Sequence, residues 1–291
     1  MGKKVSVVIP VYADHVGLED TLTSLEHQSA GRECFEVIVC NDGASDEISE
    51  VCRKHAVTEV SIRPNRGSYY ARNRGIEKAQ GEYIAFVDAD IMVGKNWIKT
   101  GISELENHDY VTGPVDIDAS KAHTWTERYE VATALNMKRF LEKDHFAPTA
   151  NLWVRKAIFS ELSMFDERLR SGGDNEFGQR VYRAGKFRIH YSEELRVVHP
   201  PRNYRQLVKK TKRVARGTID LRRIRDPQVK PKKLRKYVSR VLFHPWKLVL
   251  KTECTPVEKA VFYLMLRWFF TLHNFYQFQY ERELIKRGEW K

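Results

Sequence analysis

Three short apolar segments, VSVVIP (5–10), FEVIVC (35–40) and YIAFV (83–87), alternate with stretches of helical spacing. Runs of this length, rich in β-branched residues and bounded by turn residues, read as buried strands. Leu18, Leu22 and Leu25 recur at helical intervals after the first. Residues 47–55 and about 68–79 read as further helices, and Thr58–Ile62 as another strand. Strands alternating with helices predict an α/β fold, with a mostly parallel central sheet flanked by helices and ligands at the carboxyl ends of the strands.

The later segments are more mixed. DYVTGPV (109–115) and ANLWVRK (150–156) read as strands, 123–142 as one helix, and GGDNEFGQRVYRAGK (172–186) as a loop, a helix and a glycine stop. FRIHY and LRVVHPP follow as short strands. From Asn203 the chain looks helical, with an interruption near Asp226–Pro231. The expected organisation is a catalytic domain over 1–202, with halves of about 1–92 and 93–202, and a helical extension over 203–291.

Composition narrows the class. The chain has 291 residues, 42% hydrophobic and 30% charged, enough to bury a core. Cys34, Cys40, Cys52 and Cys254 show no metal-ligand spacing, which predicts reduced thiols and a cytoplasmic setting. The N-terminus reads as a strand rather than a signal peptide, and no apolar run reaches the ~18 residues that a spanning helix needs. Net charge is +12, yet residues 201–291 carry 24 basic against 7 acidic residues. The first 200 residues are thus mildly acidic and the last third strongly basic, a pattern that suggests a polyanionic partner.

The chemistry concentrates on Asp88-Ala89-Asp90, at the end of the strand YIAFV. Two carboxylates there can share a divalent cation, Mn²⁺ or Mg²⁺, with a nucleotide, since these ions prefer oxygen ligands and bind beside phosphates. Alone the pattern is weak; on a nucleotide-type fold it gains force.

Five ordered segments carry a resemblance: VSVVIPVY (5–12), VIVCNDGASDE (37–47), NRGSYYARNRGIEKAQGEYIAFVDAD (65–90), ANLWVRKAIF (150–159) and GGDNEFGQRVYRAG (172–185). Together they resemble family 2 glycosyltransferases, inverting enzymes of GT-A fold, over about residues 4–200. The resemblance implies that Pro10 and Tyr12 follow the first strand beside the nucleotide base. It implies that Asp42 bonds the uracil or ribose, although Ala44-Ser45 departs slightly from the usual Gly-Ser. Asn65, Gly67 and Arg72 would line the base and diphosphate side, with Arg72 the natural phosphate cation. Arg74 reads as a solvated helix face. Asp88 with Ala89 would stand near the ribose, Asp90 would hold the metal, and His199 would be a further ligand.

Asp174 is the candidate general base. The family's acidic pair reads Gly173-Asp174 here, so the preceding acid is missing, while Glu176, Gly178 and Arg180 keep the alignment. An inverting transfer needs a carboxylate within ~3 Å of the acceptor hydroxyl. A helix-capping role is compatible with that position. Asn151, Trp153 and Gly173 would border acceptor and sugar, with buried core as the plainer reading of Trp153. His145 and His190 read as structural. The likeness of Gly172–Phe177 to a GGDEF signature carries an inserted residue and lacks its context.

The last third combines many cations with aromatic stretches, including Phe243 and Trp246 and the run VEKAVFYLMLRWFFTLHNFYQFQY (257–280). This suits an interfacial seat on an anionic membrane surface; packing on the catalytic domain or a second copy is the alternative. No nucleic-acid motif accompanies the charge. The expectation is a metal-dependent transfer from a nucleotide-sugar donor, a UDP-sugar first, to a glycan or lipid-linked acceptor, by a peripheral protein on the inner face of the cytoplasmic membrane. An inactive sugar-nucleotide-binding or membrane scaffold, and less so a nucleotidyltransferase, remain open, as does a homo-oligomer.

Overall fold

A computed structural model describes residues 3–133, 135–242 and 254–290. The chain divides into two compact units. The first comprises Met1–Asp116, Leu135–Arg168 and Gly173–Pro200; the second comprises Ile117–Ala134, Leu169–Gly172 and Pro201–Lys291.

In the first unit the β-branched runs become strands and the spacings between them become helices. They follow in the order β1 (Val5–Val11), α1 (His15–Glu26), β2 (Phe35–Asp42), α2 (Asp46–Lys54), β3 (Thr58–Ile62), α3 (Ser68–Lys78) and β4 (Tyr83–Val87). Beyond them come β5 (Met92–Val93), α4 (Trp97–Asn107), β6 (Tyr110–Thr112) and β7 (Val115–Ile117). In the second unit, α5 spans Trp125–Ala132. The first unit resumes with α6 (Met137–Glu142), β8 (Asn151–Arg155), α7 (Ala157–Leu162), α8 (Gly173–Ala184), β9 (Ile189–Tyr191) and β10 (Val197–His199).

Seven strands form one sheet in the order β3-β2-β1-β4-β8-β6-β9. Pairing is parallel from β3 through β4 and between β6 and β9; β8 alone runs antiparallel to its neighbours. The strand order reverses between β1 and β4, where an open α/β sheet forms its ligand crevice. Pairing of β1 with β4 ends at Val8–Phe86, whereas pairing with β2 continues to Val11–Asn41. Pro10, expected just past the strand, is a buried residue within it. It sits where β1 has already parted from β4, so its missing N–H breaks no ladder on that side.

The core is continuous across the sheet: Val5, Val7, Ile9, Val37, Val39, Ala85, Val87, Trp97 and Trp153 are all buried within it. Gly101 of α4 is required there, because a Cβ would lie 2.4 Å from the Trp153 ring.

Two expectations change. DYVTGPV splits into β6 and β7, which belong to different sheets; Gly113 between them approaches the Leu195 carbonyl so closely that a Cβ would stand 2.3 Å away. The single helix expected over 123–142 is two helices, because the Asn136 side chain accepts the Arg139 N–H and caps a new one.

The second unit carries α5, α9 (Tyr204–Arg225), α10 (Leu234–Leu242) and α11 (Pro256–Lys286). Capping boxes start α9 at Asn203–Gln206 and α11 at Thr255–Glu258. Phe262 packs with Tyr129 and Leu207, and Trp290 with Ile219 and Leu284. Among the described residues no helix is long and apolar enough to cross a membrane. Phe243 and Trp246 lie outside the described residues.

Candidate active site

The site gathers at the carboxyl ends of β1, β2 and β4. Asp42 closes β2 and is 3% exposed. Its Oδ1 accepts the Arg66 N–H (2.7 Å), and its Oδ2 accepts the Gly67 N–H (2.7 Å) and the Asn65 side-chain amide (2.9 Å). The sequence expectation gave this carboxylate to uracil or ribose. Its observed work is to anchor the loop 65–67, which takes three of its roughly four acceptor positions. Gly67 adopts φ +95° as it enters α3, in a region that disfavours a side chain. Tyr12 is 60% exposed beyond β1, with its ring over Gly43, where a Cβ would meet it at 3.0 Å.

Asp88 and Asp90 flank Ala89, whose side chain is buried in the core. That alternation leaves both carboxylates partly exposed and gives Ala89 no side chain to offer a donor. Arg72 does not stand open to a phosphate as expected. It is 3% exposed, and its Nη2 donates to Asp88 Oδ1 at 2.5 Å. The Asp88 carboxylate satisfies the buried guanidinium as well as a phosphate would, and it is within reach in the fold itself.

His199, at the end of β10, is 1% exposed. Its Nδ1 lies 2.5 Å from the Pro200 carbonyl oxygen and its Nε2 3.3 Å from Asp90 Oδ2. A carbonyl only accepts, so Nδ1 carries the proton, and in the neutral ring Nε2 turns a lone pair toward a carboxylate. Two acceptors face each other in this way when a cation or an extra proton joins them. A ligating histidine characteristically donates its other N–H to a carbonyl. Asp90 and His199 therefore fit a divalent ion.

Asp174 lies in the first turn of α8, and its Oδ1 accepts both the Tyr69 hydroxyl (3.0 Å) and the Asn175 N–H (2.9 Å). Tyr69 is 4% exposed, and burial beside the Asp174 charge pushes its hydroxyl pKa far up, so it remains a donor. Gly173 is buried against the Tyr69 ring, where a Cβ would lie 2.8 Å from Cδ2. Tyr69 was missed in the sequence. Its only signal was its place three residues before Arg72 on one helix face.

Two other expected sugar contacts are core residues. Trp153 is fully buried, with its ring centroid 4.6 Å from that of Trp97. Asn151 is also fully buried: its Nδ2 donates to the Leu195 and Pro114 carbonyls, and its Oδ1 accepts Trp97 Nε1. Both sit on β8 between two strands, and the interior consumes their side chains. His145 stacks on Tyr182, and His190 on His108 at 4.2 Å with Glu104 beside them. Glu104, His108 and His190 each place a ligand atom within 4.8 Å of the others.

Known proteins resemble the chain in the same terms. The family model described as Glycosyl transferase family 2 matches residues 6–163. Glycosyltransferase AglE of Haloferax volcanii is 32% identical over 75% of this chain and 73% of that protein. EpsJ of Bacillus subtilis, described as an uncharacterized glycosyltransferase, is 29% identical over 62% of this chain and 57% of its own length. Among solved structures, a mannosyltransferase from Pyrobaculum calidifontis in complex with GDP-Man and Mn²⁺ superposes with a TM-score of 0.59. Its identity is 15%, and the match covers 99% of this chain and 75% of that one. TarS of S. aureus in complex with UDP-GlcNAc gives 0.58 at 18% identity, covering 98% and 92%. These structures share the GT-A fold. With the family match spanning more than half of the residues, and AglE a third identical across three quarters of them, the chain belongs to glycosyl transferase family 2.

Proposed function

We propose that the chain is an inverting, metal-dependent transferase that moves a sugar from a UDP-sugar to a hydroxyl of a glycan or lipid-linked saccharide, with Asp174 as general base. One observation carries this reading. Tyr69 and Arg72 lie on one face of α3; the first bonds Asp174 and the second bonds Asp88. The same helix face thus holds the acidic pair after β4 and a separate carboxylate at the start of α8, the two ends a displacement needs.

Asp174 takes the proton of the acceptor hydroxyl. The acceptor oxygen forms its bond to the anomeric carbon as the bond from that carbon to the diphosphate oxygen breaks, from the opposite face. Asp90 and His199 would hold the divalent ion, which when bound neutralises the charge gathering on the nucleoside diphosphate. Tyr12 over Gly43 offers a face for the base, and the loop 65–67, anchored by Asp42, borders the diphosphate. The solved relatives with UDP-GlcNAc or with GDP-Man and Mn²⁺ support a nucleotide sugar and a cation of this kind.

Residues 203–291 are read as a seat on an anionic membrane surface, at the inner face of the cytoplasmic membrane. The support is that Val257, Leu264, Trp268 and Phe275 are exposed at spacings of 7, 4 and 7 along α11, one helix face. Arg205, Lys209, Lys212 and Arg213 are exposed on α9.

The test is Asp174→Asn, assayed with UDP-GlcNAc and with GDP-Man in Mn²⁺. Donor binding, read as a thermal shift, should persist while turnover falls at least 100-fold. Near-normal turnover would remove Asp174 from the base role.

A further inference from the structure

Tyr69 combines three features, of which ring packing alone accounts for only the first. Its ring packs on Phe165 at a centroid distance of 5.6 Å, a contact phenylalanine would make equally well. A hydroxyl carried into that interior costs free energy unless it finds a partner. Its partner is Asp174 Oδ1, at 3.0 Å. The third feature lies opposite: Gly173 is the only residue type that leaves room for the ring, since a Cβ would come within 2.8–2.9 Å of Cδ2, Cε2 and Cγ.

We propose that Tyr69 is the positioning residue for Asp174, with Gly173 supplying the space that brings the tyrosine hydroxyl onto the carboxylate. The proposal rests on reading Asp174 as the base and deepens it. The Asn175 N–H reaches the same Oδ1 from the peptide next in the chain. Two donors from different elements, α3 and the start of α8, converge on one oxygen and fix the side-chain rotamer. A hydroxyl cannot accept from an ionised carboxylate; it must donate. The bond therefore favours the deprotonated form, the form a base needs, and holds its second oxygen in a constant direction.

Several titratable groups lie near this pair. Arg72 lies one turn along α3 from Tyr69, with its guanidinium 5.7 Å from the ring centroid. Tyr110 of β6 feels the Asp174 charge and bonds the Ala147 backbone. On α8 itself, Glu176 is paired with Arg180. None of these donates to Oδ1 in place of Tyr69.

The test is direct titration of the Asp174 carboxyl by ¹³C NMR on aspartate-labelled full-length protein, assigned by the signal missing in Asp174→Asn. Tyr69→Phe keeps the ring and removes only the donor. The midpoint of Asp174 should rise by about one pH unit, because the lost bond favoured the ionised form. A phenylalanine variant with the wild-type midpoint overturns the proposal. Gly173→Ala is the second variant: its Cβ displaces the ring, so the midpoint should move the same way. A folded alanine variant titrating like wild type also overturns it.

Turnover of UDP-GlcNAc with Mn²⁺ separates positioning from packing. Tyr69→Phe should lower kcat about tenfold, leave the donor KM unchanged and move the acidic limb of the pH profile upward. The two readings fail separately. An unmoved midpoint removes the role of Tyr69. Full turnover by Asp174→Asn removes the base reading even while the midpoint in Tyr69→Phe moves.

Discussion

His199 Nε2 stands 3.3 Å from Asp90 Oδ2 while its Nδ1 bonds the Pro200 carbonyl. That arrangement makes Nδ1 a donor and turns Nε2 toward a carboxylate, on a side chain almost closed to solvent. A cation or an extra proton between them joins the two atoms, and Mn²⁺ binding separates the two cases.

The first prediction follows. Mn²⁺ should bind the wild-type protein, as read by loss of the free-ion electron paramagnetic resonance signal. His199→Ala should weaken it at least tenfold, since even the partners of ligands cost 10–100-fold when removed. Asp90→Asn should do at least as much. Unchanged Mn²⁺ affinity in both variants would mean that the ion, if bound, sits elsewhere.

The second prediction concerns Arg72 and Asp88. The guanidinium is buried and the carboxylate about a third exposed. Asp88→Ala strands a buried cation, and breaking a buried pair costs about 3–5 kcal/mol. Exposure of Asp88 lets water compensate in part, so about 2–3 kcal/mol is expected in urea unfolding. Arg72→Met, which fills the space without charge, should cost less than Asp88→Ala. The reverse order would show that the pair contributes through packing rather than charge.

The third prediction concerns Asp42. Its carboxylate collects two backbone N–H groups and one amide from 65–67. Hydrogen bonds to a charged acceptor contribute about 1.5–3 kcal/mol each, and partial relaxation lowers the sum. Asp42→Ala should destabilise by about 3 kcal/mol and speed hydrogen exchange at the Arg66 and Gly67 amides above all. Equal protection of those two amides in the variant would refute the anchoring role.

The strands and the Asp-x-Asp end were legible because period and burial leave local traces: VSVVIP and FEVIVC can hide only as strands. The helix break before Met137 was not, because one Asn136 side chain decides it and asparagine is common elsewhere. Arg72 illustrates a deeper limit. Its residue type suits phosphate and carboxylate alike, and only the fold shows Asp88 within 2.5 Å. Asp42 is similar: the motif marks its importance, while the donors that occupy it come from a loop more than twenty residues away. Asn151 looked like a sugar-side residue because its segment is distinctive, while buried core, the plainer reading of Trp153, holds; β8 lies between β4 and β6, and both side chains go to the interior. The departure at Gly173 was visible as a missing acid, but the Tyr69 ring that a Cβ there would strike is a contact across more than a hundred residues.

The fourth prediction uses pH. In the second unit Glu130 receives the backbone N–H and guanidinium of Arg202, together with the ammonium of Lys210 at 3.3 Å. Burial and the Arg202 charge lower the Lys210 pKa to about 8, against the pull of Glu130. In the unfolded chain the same group titrates near its ordinary value of about 10.4. Between pH 8 and about 10.4 the unfolded state therefore binds more protons than the folded one, and this group makes stability rise with pH. Below pH 8 both states are protonated, and the cost of holding the charge is present in full; above about 10.4 it has gone. Lys210→Met removes that cost. Its stability relative to wild type should be most favourable at pH 7 and should fall as pH is raised to 10. Urea unfolding of both proteins at pH 7, 8.5 and 10 gives the difference directly. The comparison cancels the tyrosines, which titrate in the same range in both proteins. A difference that stays constant across the three pH values would show that Lys210 keeps an ordinary pKa in the fold.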